Sequence, residues 1–513
     1  MGGAFFLITP SMQKPPKYTL YFWLVTIALG IAKVLFTLRP EIDLFTEEAQ
    51  YWLWSQNMAW HYYSKPPLVA VLNYVSTAIL GNTELGVRIN AILLGVGMSY
   101  VIFLLGRHLY SLKVGFWAAM ILQAMPMWWM ASTFHMTDSS LSFFWILAVY
   151  FAYRGIHERN LSCWIWAGLA TAIGLMAKMV MILMFPFLFI FLVYSKIWKG
   201  QERHFLIYFL ISLIGFAPML IWNWQNDFYT FKHLAALSGG GGGEASAYDF
   251  GKAIKQFLEY LGGQLAMVSV FLLPLFIGFL LRPKFFGNQK SIYLLLAPVL
   301  SWAGFAVLSF FTSIEVNWPV FAYSTLAILL ADWVCRQSLA WQKVRNWGIG
   351  LSIGLPLLFI LPDLTFLKSI TPIKKVEKSA FRRMTGYEPL AKRLHSLQDS
   401  LNVKEAFVFS ETYHMASELS FYLPDHPQTY MLNMGARKNQ FDLWPGLEQF
   451  VGKQAVGIFV SWNFDSPGEF ASFAELMYEE EMPVTFREGS LRVAKIQVWR
   501  ELQQFKPYLP DTF

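Results

Sequence analysis

Long apolar stretches recur along the first 362 residues and constrain the fold of this chain more than any other feature. A membrane-spanning helix needs about 20 mostly apolar residues, because each residue rises about 1.5 Å through a hydrocarbon layer about 30 Å thick. The chain is 56% hydrophobic and only 14% charged, unlike soluble globular proteins. We therefore predict a polytopic α-helical membrane protein with about eleven transmembrane helices, near residues 19–38, 86–106, 114–130, 139–154, 161–177, 179–196, 205–224, 263–281, 291–311, 317–335 and 346–362.

A twelfth apolar stretch, residues 67–81, differs from the others. It is shorter, follows Pro66 and contains Asn73, Ser76 and Thr77, so we predict an interfacial or re-entrant helix. With a cytoplasmic start, every inner loop is then short and basic, as the positive-inside rule requires. The sequence thus places the acidic and aromatic segments on the extracytoplasmic side of a plasma membrane. The inner loops carry Arg107 and Lys113; Arg154 and Arg159; Lys196, Lys199 and Arg203; Arg282, Lys284 and Lys290; and Arg336, Lys343 and Arg345.

Hydropathy falls after Pro362, and the pattern of apolar residues changes. Short apolar runs separated by helical-looking segments follow, which is typical of an α/β domain. We therefore divide the chain into a transmembrane domain, residues 1–362, and a small C-terminal extracytoplasmic α/β domain, residues 363–513. The apolar runs are 406–410, 428–432, 456–462 and 491–499.

Charge and cysteine usage exclude two classes of protein. The net charge is +7, but the Lys and Arg residues fall in short clusters between apolar spans rather than in a basic stripe. We therefore predict the lipid bilayer, and no nucleic acid, as a partner. The two cysteines, Cys163 and Cys335, lie in or beside apolar spans and form no spaced cluster, so neither a disulfide framework nor a zinc site is predicted.

The first outer loop brings two adjacent carboxylates, a lysine and several aromatic residues to one membrane surface. Glu47 and Glu48 would point about 100° apart on a helix, so one can act on a substrate while the other is a structural acceptor. A carboxylate here can serve as a general base, because burial and the nearby Lys65 tune its proton affinity. Alternatively, these residues anchor the chain at the membrane surface together with Tyr51 and Tyr63, as tyrosine belts do.

Further polar residues lie at the outer ends of the predicted spans. Asp138 opens the span at 139–154, where it could cap the helix or contact a substrate. Cations such as Lys65 and Lys232 suit recognition of a phosphate group. His233 could be a ligand, a proton carrier or a surface histidine. The remaining candidates for substrate binding are Asp227, Glu315 and Asn317.

Eight segments spread over most of the chain match one known pattern in combination. They are 47–56, 62–68, 83–88, 137–145, 221–227, 315–319, 416–424 and 439–444. Together they resemble the bacterial branch of the protein-O-mannosyltransferase-like family within the GT-C superfamily, whose relatives include the lipid A aminoarabinose transferase.

This resemblance implies a GT-C-like fold and a glycosyltransferase of the bacterial inner membrane. Such an enzyme moves a sugar from a polyprenyl-phosphate carrier to an envelope glycolipid, glycan or protein on the outer face, with inversion at the anomeric carbon. The family usually has Asp-Glu in the first loop, so the matching makes Glu47 the catalytic base and leaves Asp43 as an alternative. It also implies that Lys65 contacts the donor phosphate and that Asp138 is the second acidic residue of the site. Ser64 stands where some relatives have a glutamate near a metal, so no metal or other cofactor is expected to be required.

Two other functions fit parts of the sequence. A lipid-linked sugar flippase or transporter would also have many spans with polar residues. Against it, the span lengths show no inverted repeat, and the charges concentrate in the outer loops. An oligosaccharide ligase or polymerase would share the fold and the outer site of the glycosyltransferase.

Overall fold

The computed structural model describes residues 17–237, 249–282, 287–360, 381–464, 466–486, 489–506 and 508, and it is mostly helical. Several helices begin at a side chain that satisfies a free backbone N–H, such as Thr83, whose Oγ1 accepts from Gly86 N at 3.0 Å. The helices before residue 361 are α1 (Lys17–Thr37), α2 (Thr46–Gln56), α3 (Leu68–Leu80), α4 (Glu84–Leu109), α5 (Leu112–Gln123), α6 (Pro126–Ala131), α7 (Thr137–Glu158), α8 (Leu161–Leu175), α9 (Met184–Tyr194), α10 (Glu202–Leu213), α11 (Ala217–Gln225), α12 (Tyr229–Leu237), α13 (Phe250–Val268), α14 (Leu273–Leu280), α15 (Gln289–Leu308), α16 (Tyr323–Cys335) and α17 (Leu339–Ile360).

Helix length identifies some of the predicted spans directly. Within the described residues, five helices are long and apolar enough to cross a membrane, and a bent pair of helices would make a sixth. The prediction of a helical protein with several apolar spans is therefore confirmed, whereas length does not fix the count of eleven. The helix α3, which covers the stretch at 67–81, is among the shorter apolar helices. The five long helices are Lys17–Thr37, Glu84–Leu109, Thr137–Glu158, Glu202–Gln225 and Gln289–Leu308.

The stretch at 263–281 is not the single straight span that its hydropathy predicts. Its residues belong to α13 and α14, which meet at an angle of 113°. The break occurs at Ser269, whose φ of 77° is incompatible with a continuing helix, and Pro274 then occupies the first turn of α14. Hydropathy averages over such a break, because both sides of it are apolar.

The helices pack through a continuous apolar core. The helix α16 is buried from Tyr323 to Val334, and α7 packs against α4 and α8. Small residues allow close approach of α4 and α5: a Cβ on Gly106 would lie 2.8 Å from the Gly115 Cα. Because both glycines sit where the two backbones meet, a side chain at either position would push α4 and α5 apart.

The C-terminal part folds as an α/β domain around a five-stranded sheet. Its helices are α18 (Tyr387–Ser400) and α19 (Tyr413–Tyr422), and its strands are β1 (Phe407–Ser410), β2 (Tyr430–Met431), β3 (Val456–Ser461), β4 (Ala471–Phe486) and β5 (Gly489–Phe505). The strand order is β2-β1-β3-β5-β4, with β1 parallel to β2 and β3, and with β5 antiparallel to β3 and β4. Each of the four predicted apolar runs contains or overlaps a strand, so the predicted sheet domain is confirmed.

The long edge strand β4 has no counterpart among the predicted strands. Its sequence is rich in Ala, Glu, Leu and Met, which favour helix when a segment is considered alone. In the structure it pairs with β5 from Ala471 to Phe486, and Glu479 forms an ion pair at 2.7 Å with Lys495, its diagonal neighbour on β5. Pro483 is tolerated because β4 lies at the edge of the sheet. Pairing with a distant strand therefore overrides local propensity.

The C-terminal α/β domain, named the outer domain below after its predicted side of the membrane, is held against residues 39–85, the predicted first outer loop, by apolar and polar contacts. The helix α2 packs on α19, with the Trp52 and Phe421 ring centroids 4.9 Å apart. The Tyr422 hydroxyl accepts from Leu44 N at 2.7 Å and donates to Glu84 at 2.9 Å. These contacts place the C-terminal domain directly over the start of α2.

Candidate active site

A cavity of about 730 Å³ lies where α2, the start of α7, residues 312–318 and the outer domain meet. Such a volume is in the range of sites that hold a small molecule or the head group of a lipid. Residues from both domains form its walls. Its charged lining residues are Glu47, Asp138, Glu315, Lys65, Lys178, Arg383, Arg437 and Lys438.

Glu47 lies in the first turn of α2 and lines the cavity. Arg383 Nη2 donates to Glu47 Oε1 at 2.5 Å, and the Thr46 hydroxyl donates to Oε2 at 2.9 Å. The Arg383 guanidinium also lies 4.6 Å from the centroid of the Phe45 ring. The N-terminus of a helix favours negative charge, so the position of Glu47 in α2 and the Arg383 guanidinium both stabilise the ionised carboxylate. Glu47 is thus held in place partly by a residue of the outer domain.

Asp138, in the first turn of α7, forms a second polar centre in the wall of the cavity. Lys178 Nζ donates to its Oδ1 at 2.8 Å, and Asn317 Nδ2 donates to its Oδ2 at 2.9 Å. The N-cap position of α7 is Met136, and both carboxylate oxygens bind side chains from other segments. Asp138 therefore links α7 to the end of α8 and to residues 312–318 rather than serving as the N-cap of its own helix.

Lys65 and Tyr51 line the cavity between these two centres. Burial, together with the nearby positive charge of Lys178, lowers the pKa of Lys65 to about 8. Burial, followed by the carboxylates of Glu47 and Asp138, raises the pKa of Tyr51 well above its usual value. The Tyr51 hydroxyl therefore keeps its proton at neutral pH and is available as a hydrogen-bond donor.

Glu48, which follows Glu47 in the sequence, points away from the cavity. Glu48 is fully buried, and its Oε2 accepts from Arg88 Nε at 3.0 Å while its Oε1 accepts from His135 N at 2.8 Å. Its Oε2 also accepts from Phe45 N at 2.9 Å. Of the two roles open to adjacent carboxylates, Glu48 has the contacts of a structural acceptor, although the sequence assigned it to substrate binding.

Asp43, the alternative base, is likewise buried outside the cavity. Its Oδ2 accepts from Tyr387 N at 2.6 Å, which places it at the start of α18. Burial raises the pKa of Asp43 to about 7 despite this hydrogen bond. Glu418 on α19 is fully buried as well, and burial raises its pKa well above the usual range. Asp43, Glu48, Arg88 and Glu418 are called the interface cluster below, because they join the outer domain to the first outer loop and to α4.

Of the remaining predicted residues, Tyr63, Glu315 and Asn317 line the cavity. Asp227 is exposed at a φ of 47°, between α11 and α12, and the exposed Lys232 lies 5.3 Å from the Tyr229 ring centroid. Neither Asp227 nor Lys232 is among the described lining residues. The side chain of His233 lies outside the described parts of the structure.

Four charged residues and one tyrosine of the lining were not among the predicted site residues. They are Lys178, Arg383, Tyr413, Arg437 and Lys438. Some signals for them exist in the sequence: Lys178 stands at an outer span end in the predicted topology, and Arg437 and Lys438 directly precede the matching segment 439–444. Arg383 carries no such signal, because its role depends on the approach of the outer domain to α2.

The described residues contain no group of three or more His, Cys, Asp or Glu side chains arranged to hold a metal ion. The carboxylates that line the cavity bind cationic or amide side chains instead, as Glu47 and Asp138 show.

The cavity combines two chemical capabilities. Glu47 can accept a proton from a hydroxyl group within hydrogen-bonding reach, which is the task of a general base. Lys65 and Lys178 can stabilise negative charge that develops on a phosphate oxygen, and a site sheltered from bulk water strengthens that interaction. An attack by a hydroxyl group with departure of a phosphate needs both.

Comparisons with known proteins agree with the fold and the motifs. Residues 64–222 match the family described as dolichyl-phosphate-mannose-protein mannosyltransferase. The chain is 24% identical over 354 residues to lipid A galacturonosyltransferase RgtD of Rhizobium johnstonii, covering 68% of this chain and 71% of that protein.

Two crystal structures of ArnT from Cupriavidus metallidurans share the fold. The apo structure has a TM-score of 0.64 and the structure bound to undecaprenyl phosphate a TM-score of 0.65. Each is 14% identical in sequence, and each comparison covers 94% of this chain and 98% of ArnT. The resemblance inferred from the motifs is therefore confirmed: residues 64–222 match this mannosyltransferase family, and the chain shares the fold of ArnT.

Proposed function

We propose that this protein is a membrane glycosyltransferase that moves a sugar from a polyprenyl-phosphate carrier to an acceptor of the cell envelope, with inversion at the anomeric carbon. The observation that carries the proposal is one cavity that holds the Glu47 carboxylate together with Lys65 and Lys178. A lipid-phosphate sugar needs a base for the attacking hydroxyl and cations for the departing phosphate. Polyprenyl phosphate is itself the leaving group, so no nucleotide has to reach the cavity.

The similar proteins support both ends of this reaction. RgtD is named for transfer of galacturonic acid to lipid A, and one ArnT structure holds undecaprenyl phosphate. These names support a lipid-linked donor and an envelope glycolipid as the first acceptor to test. Glycans and proteins of the envelope are the other acceptors that the family resemblance implies.

Each residue then has a stated role. Glu47 takes the proton of the acceptor hydroxyl as its oxygen attacks the anomeric carbon, and the carbon–oxygen bond to the carrier phosphate breaks. The positive charges of Lys65 and Lys178 stabilise the negative charge of the departing phosphate. Asp138 holds Lys178 in position through the 2.8 Å contact. Tyr51 donates a hydrogen bond to the substrate between the two carboxylates.

The proposed topology has eleven spans, a cytoplasmic N-terminus and the cavity on the extracytoplasmic side of the bacterial inner membrane. Each predicted span falls on a helix or on consecutive helices of the structure, which supports this count. The basic clusters in the short inner loops support the orientation. The proposed boundary between the two domains, at residues 362 and 363, lies outside the described residues.

A transfer assay on purified protein tests the proposal. Protein in detergent is incubated with a radiolabelled polyprenyl-phosphate sugar and a lipid A acceptor, and the products are separated by thin-layer chromatography. A new radiolabelled glycoside that depends on protein and acceptor is the expected result. A flippase would move the donor across proteoliposomes and yield no glycoside, which would refute the proposal. Mass spectrometry of the product separates transfer of one sugar from the longer glycan of a ligase or polymerase.

A further inference from the structure

The loop of residues 433–442 in the outer domain is a rigid element that reaches the cavity. Asn433 Oδ1 accepts from Ala436 N at 2.8 Å, and its Nδ2 donates to Asp442 Oδ1 at 3.2 Å. Asp442 Oδ2 accepts from Asn439 N at 2.7 Å, which closes the loop. Asn433 and Asn439 are each only 6% exposed, so these hydrogen bonds are protected from water. The loop therefore holds a defined shape.

The same loop is docked on the membrane domain at two points. Gln440 Oε1 accepts from Tyr63 N at 2.7 Å, two residues before Lys65. Lys438 Nζ lies 3.9 Å from the centroid of the Tyr229 ring on α12. The hydrogen bond of Ala436 N to Asn433 precedes Arg437, and the contact of Lys438 with Tyr229 follows it. Together they fix the backbone at Arg437, which lines the cavity and is solvent-exposed.

The cations of the cavity fall into two groups according to where they come from. Lys65 and Lys178 belong to the membrane domain, close to Asp138. Arg383, Arg437 and Lys438 belong to the outer domain, and Arg383 is paired with Glu47. Arg437 hydrogen-bonds to the Tyr413 side chain, which is also in the outer domain. Within the part of the chain that the structure describes, Arg437 makes no ion pair with a carboxylate.

The cations of the cavity are not all matched by carboxylates. Five cations and three carboxylates line the cavity, and a fourth carboxylate, Asp442 of the 433–442 loop, interacts with Lys438. The phosphodiester of a lipid-linked sugar carries one negative charge. Its lipid chain must stay in the bilayer, so its phosphate lies nearest to the membrane-domain lysines. Arg437, on the outer-domain wall, then has no counterpart in that phosphodiester.

We propose that the 433–442 loop binds an anionic group of the acceptor, through Arg437 with Lys438 beside it. The ligand is an oxyanion, a phosphate or a carboxylate, close to the hydroxyl group that is attacked. The planar guanidinium of arginine suits both, because it can donate two parallel hydrogen bonds to either. This inference rests on the proposed function, since it assigns the second substrate of the same site.

Binding measurements with matched probes test the loop independently of transfer. The first pair of probes is a phosphorylated lipid A and the same lipid A after phosphatase treatment. The second pair is a galacturonic acid disaccharide and its methyl ester. Binding to purified full-length protein is measured by microscale thermophoresis, and transfer with each lipid A is assayed in parallel.

The expected result is that wild-type protein binds the charged member of at least one pair about tenfold or more tightly than the neutral member, as charge-assisted hydrogen bonds provide. Arg437→Gln should remove most of this preference, and Arg437→Lys should keep part of it. Arg500→Gln is the matched control, because Arg500 is an exposed arginine of the same domain that pairs with Glu475 away from the cavity. The pair that responds identifies phosphate or carboxylate as the ligand.

Two outcomes would overturn the inference. Equal binding of both members of each pair by the wild-type protein would show that no anionic group is recognised. A loss of polyprenyl phosphate binding in Arg437→Gln, with the acceptor preference intact, would assign Arg437 to the donor. If the preference is present but no variant or wild-type protein forms a glycoside, the proposed function fails while the anion site stands.

Discussion

Acidic residues gather in two regions of this molecule, the cavity and the interface cluster. The adjacent carboxylates Glu47 and Glu48 belong to one region each. Glu47 faces the cavity, where Arg383 and the Thr46 hydroxyl bind it and a substrate can reach it. Glu48 belongs to the interface cluster, where Arg88 and two backbone N–H groups bind it without access to solvent. One turn of one helix thus supplies both a group placed for chemistry and a group placed for domain attachment.

The two clusters differ in how their charge is compensated. The cavity carries more cations than carboxylates and is open to ligands. The interface cluster has Asp43, Glu48 and Glu418 around one arginine, and burial raises the pKa of both Asp43 and Glu418. We therefore expect substitutions of the proposed catalytic carboxylate to change activity and substitutions in the interface cluster to change stability.

Replacing the cavity carboxylate should have the largest effect on activity. Glu47→Gln keeps the shape of the side chain but removes its ability to accept a proton, so kcat should fall about 10²- to 10⁴-fold. Thermal unfolding of the purified protein should change little, because Glu47 is partly exposed. Glu475→Gln on the outer surface is the control. Full activity of Glu47→Gln with an authentic lipid-phosphate sugar would remove the base assignment.

Replacing the interface arginine should act on stability instead. Arg88→Met leaves Glu48 buried without its ion-pair partner, so the free energy of unfolding should fall by about 3–5 kcal/mol. Thermal unfolding in detergent measures this loss. The double variant Arg88→Met with Glu48→Gln should recover part of it, since the unpaired charge is gone. An unchanged Tm in the single variant would contradict the structural role of the cluster.

Alkaline pH should weaken donor use through Lys65. The pKa of Lys65 is lowered to about 8, so the lysine is charged below that pH and loses its charge above it. Because a neutral amine attracts phosphate poorly, kcat/KM for the donor should decline above about pH 8, by up to about tenfold per pH unit. In Lys65→Arg the decline should shift to higher pH, because arginine stays charged. A decline at the same pH in that variant would assign the titration to another group.

The smallest effect is expected from the pH dependence of the interface cluster. Folding raises the pKa of Asp43 from 3.8 to about 7, so the folded state binds a proton that the unfolded state does not hold between these values. Stability should therefore fall as pH rises from about 4 to about 7, by at most about 1.4 kcal/mol per pH unit. Asp43→Asn should flatten the profile of Tm against pH, with Glu475→Gln as the control. An unchanged slope would show that Asp43 does not titrate in this range.

The sequence predicts the helices and most of the sheet because their signals are local. Apolar length marks the spans, and apolar runs mark four strands, whereas β4 reads as a helix until its pairing with β5 is known. The 113° bend between α13 and α14 is hidden for a similar reason, since hydropathy does not register the backbone angle at Ser269. The hydropathy pattern carries no information about the pairing of distant strands or about backbone angles.

The residues of the candidate site likewise fall into those that the sequence predicts and those that only the folded structure reveals. Glu47, Lys65 and Asp138 lie in matching motifs near span ends and line the cavity together. Arg383 and Arg437 reach it from the outer domain, far along the chain, and long-range contacts such as the packing of α2 on α19 and the docking of Gln440 on Tyr63 bring them there. Asp227 shows the converse: it lies in a matching motif, yet the backbone around it turns its segment toward solvent.

The shared wall of the cavity has a consequence for the biosynthesis of this protein. Under the proposed topology, Glu47 emerges at the outer surface early, whereas Arg437 is made about 390 residues later. At about 5–20 residues per second, roughly 20–80 s separate the two events. The cavity then stays incomplete until the outer domain has been exported and folded. A half-inserted protein could not consume lipid-linked sugar, so export of the outer domain would set the time at which catalysis begins.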